Sequence, residues 1–247
     1  MLAEPFQALR AMARPALVPH KPRLLIAGAT GVLGNEVLRR LVGLGQFEST
    51  QVLAREPIMA GLRGVSTVVM PGVDPTDWPL VQADVAVVLF DPPRLFYDRE
   101  RALWTPQPEQ LPAVAAWLRR CGVQTLAVVL PHAPGRLPEA LKRGLANMDE
   151  QTMAALGFER LLIVRSAQKP TPDPALGWLP AVARWMLSTL KYMIPSSEQP
   201  VRAVRVAQFV TLALQMAPRG IHIAPPETVW HAAQGDLAAE VRRWLQS

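Results

Sequence analysis

The chain has 247 residues, of which 50% are hydrophobic and 19% are charged, a composition typical of a folded globular protein and not of a disordered one. Its 26 basic and 20 acidic residues give a formal charge of +6, but the basic residues are scattered, so we expect no nucleic-acid partner. The single cysteine, Cys121, excludes a disulfide within the chain and a cysteine-based zinc cluster, and it fits a cytoplasmic protein without a bound metal.

Two segments could in principle serve as membrane or targeting elements. Residues 1–21 contain three prolines among the first 20 residues and no continuous apolar core, so they predict an N-terminal arm and not a secretory signal. The most apolar later stretch, Gly177 to Ile194, contains Arg184 and Lys191 and is a poor membrane span. We therefore expect no membrane span.

Strand-like apolar runs alternate with helical patterns from residue 23 to residue 165. The predicted strands are Arg23–Ala27, Gln51–Ala54, Val65–Met70, Asp84–Phe90, Thr125–Leu130 and Arg160–Val164. The predicted helices run from Leu33 to a stop near Gly45, over Leu111–Arg120 and over Glu139–Leu156. This alternation predicts an α/β fold, with a parallel sheet covered by helices on both faces.

The pattern changes after Ser166. A proline-rich loop is followed by predicted helices over Trp178–Ile194, Val201–Met216 and Leu237–Leu245, with a short strand at Ile221–Ala224. We expect one domain over residues 22–247, in which residues from about 167 to 247 form a small helical region on the substrate side.

The sharpest motif is the glycine loop Gly28-Ala29-Thr30-Gly31-Val32-Leu33-Gly34. It directly follows an apolar strand and directly precedes an amphipathic helix, the context in which such a loop binds the pyrophosphate of a dinucleotide. The glycines permit a tight turn and a close approach of the phosphates, and the helix N-terminus supplies free N–H groups. The loop predicts a doubly wound, Rossmann-type sheet that holds a nicotinamide dinucleotide; the alternative is a strand–helix turn without a ligand.

The second strand ends in Arg55-Glu56-Pro57, where a ribose-reading residue is expected. A guanidinium matches a phosphate in geometry and charge, so Arg55 favours NADPH over NADH. Glu56, one position later, is the competing reader and would favour NAD. The predicted cofactor contacts are Gly28, Thr30, Gly31, Val32, Leu33, Gly34, Arg55 and Phe90.

With this loop, Arg55 before Pro57, the strand Asp84–Phe90 and the stretch from Gly157 to Arg165, the sequence resembles the atypical short-chain dehydrogenase/reductases. Within these it is most similar to the small NAD(P)H-binding proteins of the TIP30 and NmrA-like type. The resemblance covers about residues 22–225. It implies a Rossmann fold, a nicotinamide cofactor and a small C-terminal substrate-side region.

The resemblance also implies a catalytic Ser after the fifth strand and a Tyr-x-x-x-Lys pair on the next helix, and this chain departs from all three. The Ser position is Leu130, the Tyr position falls near Lys142 and the Lys position near Ala146. Lys142 and His132 are then the candidate proton donors. After the fourth strand, where the family has a small residue, Phe90 is followed by Asp91, Pro92 and Pro93.

Three functions stay open from the sequence. The chain is an NAD(P)H-dependent oxidoreductase with a non-standard proton donor, a cofactor-sensing regulatory or assembly protein that has lost the chemistry, or, because of Phe90 to Pro93, a scaffold without a cofactor. The substrate is not readable, and a homo-oligomer or a protein partner fits each of the three.

Overall fold

A computed structural model describes residues 21–58, 63–94, 97–130, 155–165 and 201–246. The described strands are β1 Arg23–Ala27, β2 Ser49–Ala54, β3 Val65–Val69, β4 Val85–Leu89, β5 Thr125–Leu130, β6 Arg160–Arg165 and β7 Gly220–Ala224. These seven strands form one sheet in the order β3-β2-β1-β4-β5-β6-β7. Every neighbouring pair is parallel.

The described helices are α1 Gly31–Gly43, α2 Asp98–Ala102, α3 Leu111–Arg120, α4 Ala203–Met216, α5 Pro226–Gln234 and α6 Leu237–Gln246. Two 3₁₀ turns lie at Pro75–Asp77 and Pro108–Gln110. Among the described residues, no helix has both the length and the apolar character that crossing a membrane requires.

Helices cover both faces of the sheet. One core lies between the sheet and α1, α4, α5 and α6, with Phe209 of α4 fully buried in it. The other lies between the opposite face and α3. In this second core Trp78 makes edge-to-face contacts with Trp104 and Trp117, at centroid distances of 4.6 and 5.1 Å. The side chains of the central strands β1, β4, β5 and β6 alternate between the two apolar cores, which explains why the sequences of these strands are largely apolar.

The predicted Rossmann-type α/β fold is confirmed by this strand order and by the helices on both faces. The chain moves outward from β1 through β2 to β3, then returns to place β4 on the other side of β1. Ligands of open parallel sheets bind in the crevice at the carboxyl ends of the strands where the direction reverses. Here that crevice lies between the segments that follow β1 and β4.

Part of the C-terminal region belongs to the sheet. Residues 201–246 supply β7, which pairs with β6, and the three helices that pack over one face. The predicted helices over 178–194 and most of 139–156, and the N-terminal arm except Lys21, lie outside the described residues, and the domain bounds stay a prediction.

Candidate functional site

The glycine loop lies at the carboxyl end of β1, in the crevice beside β4. Gly28 has φ +80° and Gly31 has φ +66°, conformations that side-chain-bearing residues rarely adopt. A Cβ on Gly28 would stand 2.0 Å from the carbonyl oxygen of Leu89 in β4, and one on Gly34 would stand 2.5 Å from the carbonyl oxygen of Gly28. Gly28 and Gly34 are therefore required for the close packing of β1, α1 and β4.

The other residues of the loop divide between the core and the surface. Thr30 is completely buried, and its hydroxyl donates to the carbonyl of Asp91 and lies 3.1 Å from the hydroxyl of Thr105. Leu33 is buried in the core beneath α1, whereas Val32 is 62% exposed. The loop thus turns its backbone toward the crevice, as a phosphate-binding turn does.

The side of Gly31 that faces the crevice is filled by a carboxylate. A Cβ on Gly31 would lie 2.8 Å from the Cβ of Asp91 and 3.0 Å from its Oδ2. Asp91 Oδ2 also accepts a hydrogen bond of 3.1 Å from the N–H of Leu33. Asp91 comes directly after Phe90 at the end of β4, so the strand order brings it to α1 across 58 residues of sequence.

A second carboxylate, that of Glu100 in α2, reaches the same helix end. Its side chain is 5% exposed and its Oε2 accepts a hydrogen bond of 2.9 Å from the N–H of Gly31. Its Oε1 accepts from Asn35 Nδ2 at 2.7 Å and from Arg94 Nε at 2.7 Å, and Arg94 pairs with it through a further nitrogen. We call the side chains of Asp91 and Glu100 the carboxylate cap of α1.

The pKa values of the two carboxyl groups of the cap are shifted in opposite directions. Burial raises the pKa of Asp91, its hydrogen bond from Leu33 opposes the rise, and the negative charge of Glu100 adds to it. Burial also disfavours the charged form of Glu100, but hydrogen bonds from Arg94 and from Gly31 together hold the pKa of Glu100 below its usual value. Glu100 is therefore the firmly ionised member of the pair, with Arg94 as its counter-charge.

Residues 102–105 cross the carboxyl ends of β1 and β2 and fix one wall of the crevice. Arg55 N–H donates to Ala102 O at 2.7 Å, Trp104 N–H donates to Leu53 O at 2.9 Å, and Gly28 N–H donates to Trp104 O at 3.1 Å. Trp104 is 4% exposed and belongs to the aromatic cluster described above. This wall is thus tied to the sheet by both backbone and side-chain contacts.

Beside this wall lies a cleft of about 390 Å³ at the ends of β2 and β3. It is lined by Arg55, Met70 to Val73, Trp104, Thr105, Gln107 and Gln110. The side chain of Arg55 is exposed, and so is that of the competing reader Glu56. The cleft therefore offers one cationic group over a partly apolar floor, next to the glycine loop.

The other sequence-predicted residues are placed less favourably or lie outside the described residues. Phe90 is 9% exposed, and its side chain packs in the core on the α3 side of the sheet, so its bulk does not fill the crevice. Leu130, at the family's Ser position, is 2% exposed at the end of β5. His132 and Lys142 lie outside the described residues. No group of three or more His, Cys, Asp or Glu among the described residues could hold a metal ion.

Sequence reasoning missed the carboxylate cap. Asp91 was noted only as part of a bulky segment, and Glu100, Arg94 and Asn35 carried no motif. The available signal was positional, since an acid directly after the central strand β4 must lie at the sheet edge that also carries the glycine loop.

No family model matches this chain, and no curated protein matches it. Similar solved structures include a Rossmann-fold NAD(P)-binding family protein from Shigella flexneri, at 18% identity and a TM-score of 0.48, covering 80% of this chain and 88% of that one. The Bordetella bronchiseptica enzyme WbmG, solved with NAD, is 15% identical at a TM-score of 0.47 and covers 89% and 78%. Yeast methylglyoxal/isovaleraldehyde reductase Gre2, solved with NADPH, is 13% identical at 0.46 and covers 82% and 77%.

The cofactors in those structures are properties of those proteins. The fold of this chain rests on its own strand order.

Proposed function

We propose that this chain is a nicotinamide-dinucleotide-binding protein of the atypical short-chain dehydrogenase/reductase type, in the TIP30 and NmrA-like group. The observation that carries the proposal is the strand–glycine–helix turn at the reversal point of the sheet, where backbone N–H groups of α1 face the crevice. The pyrophosphate would take these N–H groups, and the adenosine half would enter the cleft beside Arg55.

Arg55 supports a preference for NADPH. Its guanidinium is exposed at the carboxyl end of β2 and lines the cleft, so a 2′-phosphate bound there would meet a solvent-accessible positive charge. Glu56 would be the residue that binds the ribose hydroxyls if NAD were preferred instead.

Calorimetric titration with NADPH and NADH tests the binding site, using Gly31→Ala and a matched control. Gly45 has φ +59° and open space at its Cβ position, so Gly45→Ala carries a similar backbone strain without touching the crevice. We expect wild type and Gly45→Ala to bind and Gly31→Ala to lose binding. If neither folded wild type nor a folded variant that lacks a charge of the carboxylate cap gives heat with either dinucleotide, the proposed function is wrong.

For the chemistry, Lys142 and His132 are proposed as the proton donors of an oxidoreductase, because hydride transfer to a carbonyl leaves an alkoxide that needs a proton. A non-enzymatic, cofactor-sensing role is the second candidate, favoured by the buried Leu130 at the family's Ser position. A positioned acid contributes roughly 10²–10⁴-fold in rate. NADPH oxidation with aldehydes and quinones should therefore be lost in Lys142→Met or in a His132 variant if the chain is an enzyme, and absent in wild type if it is a sensor.

A further inference from the structure

Two N–H groups at the first turn of α1 already hold carboxylate oxygens. Gly31 donates to Glu100 at 2.9 Å and Leu33 donates to Asp91 at 3.1 Å. A carboxylate offers these donors the same negatively charged acceptor oxygens that a phosphate does. The carboxylate cap is therefore a chemical substitute for a phosphate at this helix end.

The cap and a pyrophosphate compete for space as well as for donors. The oxygen of Asp91 stands 3.0 Å from the point where a Cβ of Gly31 would be, which is the space that a glycine at this position leaves open to a ligand. A pyrophosphate brought against the same backbone would also meet the ionised carboxylate of Glu100, which carries a charge of its own sign. Both cannot occupy the turn at once.

The side chain of Glu100 is held by residues other than those that anchor the wall behind it, although its backbone carbonyl accepts a hydrogen bond of 3.2 Å from the N–H of Leu103 in that wall. Glu100 is held by Arg94 and Asn35 at the crevice surface, where Arg94 is 38% exposed. The wall that follows, by contrast, is bonded to β1 and β2 and is anchored by Trp104 in the core. Exchange of the anions at α1 thus requires the side chains of Asp91 and Glu100 to move away from Gly31 and Leu33, while the hydrogen bonds of the wall to β1 and β2 stay in place.

We propose that Asp91 and Glu100 form an autoinhibitory cap, which stands in for the cofactor's phosphates in the ligand-free chain and must be displaced by the pyrophosphate of the dinucleotide. The proposal rests on the proposed function, since it concerns the same helix end. Only molecules with an open cap bind the dinucleotide. The apparent affinity is therefore the intrinsic affinity multiplied by the fraction of molecules in which the cap is open. A ligand-free chain also keeps its helix end satisfied, so it needs no cofactor to fold.

The test is calorimetric titration of NADPH and NADH into wild type and two isosteric charge-removing variants, Glu100→Gln and Asp91→Asn. The matched controls are Glu109→Gln and Asp98→Asn, which remove the same charges from exposed positions of the same region. We expect each cap variant to bind about tenfold more tightly than wild type, and each control to stay within about twofold. If one cap variant fails to fold, the other carries the comparison.

The outcomes separate the cap from the proposed function. Tighter binding by the cap variants alone supports both, including the case in which wild type shows no binding and a cap variant does. Equal or weaker binding by folded cap variants, with wild type binding, overturns the cap and leaves the function standing. Absence of binding by wild type and by both cap variants overturns both.

Discussion

Replacing Thr30 by valine removes the hydroxyl that ties the glycine loop to the segment after β4, while keeping the shape of the side chain. Thr30 is 0% exposed, its hydroxyl donates to the carbonyl of Asp91, and the hydroxyl of Thr105 is left to donate to it at 3.1 Å. Valine leaves both partners unsatisfied. A buried polar group without its partner costs about 1–3 kcal/mol. Because Asp91 is only partly buried, we expect a cost within this range, and Thr30→Val should lower the free energy of unfolding by about 2 kcal/mol.

Urea denaturation at neutral pH, followed by tryptophan fluorescence, measures this change. Thr30→Ser is the matched control, since it keeps the hydroxyl and loses a methyl group, and we expect it to cost about 1 kcal/mol or less. A Thr30→Val protein within about 0.5 kcal/mol of wild type would refute the reasoning, because that is the range of an ordinary surface substitution. A serine variant as unstable as the valine variant would show that packing, and not the hydroxyl, stabilises the loop.

Two further predictions concern charge at the crevice. Arg55→Ala should weaken NADPH binding about tenfold and leave NADH binding unchanged; titrations that give an unchanged ratio of the two affinities would show that Arg55 does not read the 2′-phosphate. Because the pKa of Glu100 is lowered in the folded chain, the contribution of this carboxylate to stability is complete above the ordinary glutamate pKa and is lost as pH falls through the lowered value. The pKa of Asp91 is raised instead, so protonation of Asp91 favours the folded state as pH falls. Urea unfolding should be measured from neutral pH to about pH 3, a range that includes the ordinary glutamate pKa of about 4.3. Glu100→Gln should lose less stability on acidification than wild type does. Identical pH profiles would contradict the lowered pKa of Glu100.

The sheet was predictable because local patterns dictate its elements. The structure has β1 at Arg23–Ala27, α3 at Leu111–Arg120 and β5 at Thr125–Leu130, the bounds that the sequence predicts. The central strands β1, β4, β5 and β6 are largely apolar because both of their faces pack in a core, and α3 has one apolar face and is followed by Gly122. The helix Pro226–Gln234 was missed, since its start at Pro225-Pro226 reads as a loop and it buries few side chains.

The site was predictable only where it is local. Strand, glycines and helix are contiguous, so the strand–glycine–helix turn could be recognised from residues 28–34. The carboxylate cap joins residues 58 and 69 positions apart, and no spacing rule connects Asp91 to Leu33 or Glu100 to Gly31. The sequence instead indicated that the bulk of Phe90 could interfere with a cofactor, whereas the structure buries this side chain in the core away from the crevice.

The central claim, that the crevice between β1 and β4 binds a nicotinamide dinucleotide at the N-terminus of α1, is tested most directly by a two-dimensional ¹⁵N–¹H NMR titration of the wild-type chain with NADPH. The amide signals of Gly31 and Leu33 report the hydrogen bonds that the phosphates would take over from Glu100 and Asp91. We predict saturable shifts of both signals, together with the signal of Arg55 at the end of β2. Unchanged Gly31 and Leu33 amides at millimolar NADPH and NADH, in well-folded spectra of both the wild type and Glu100→Gln, would contradict the account.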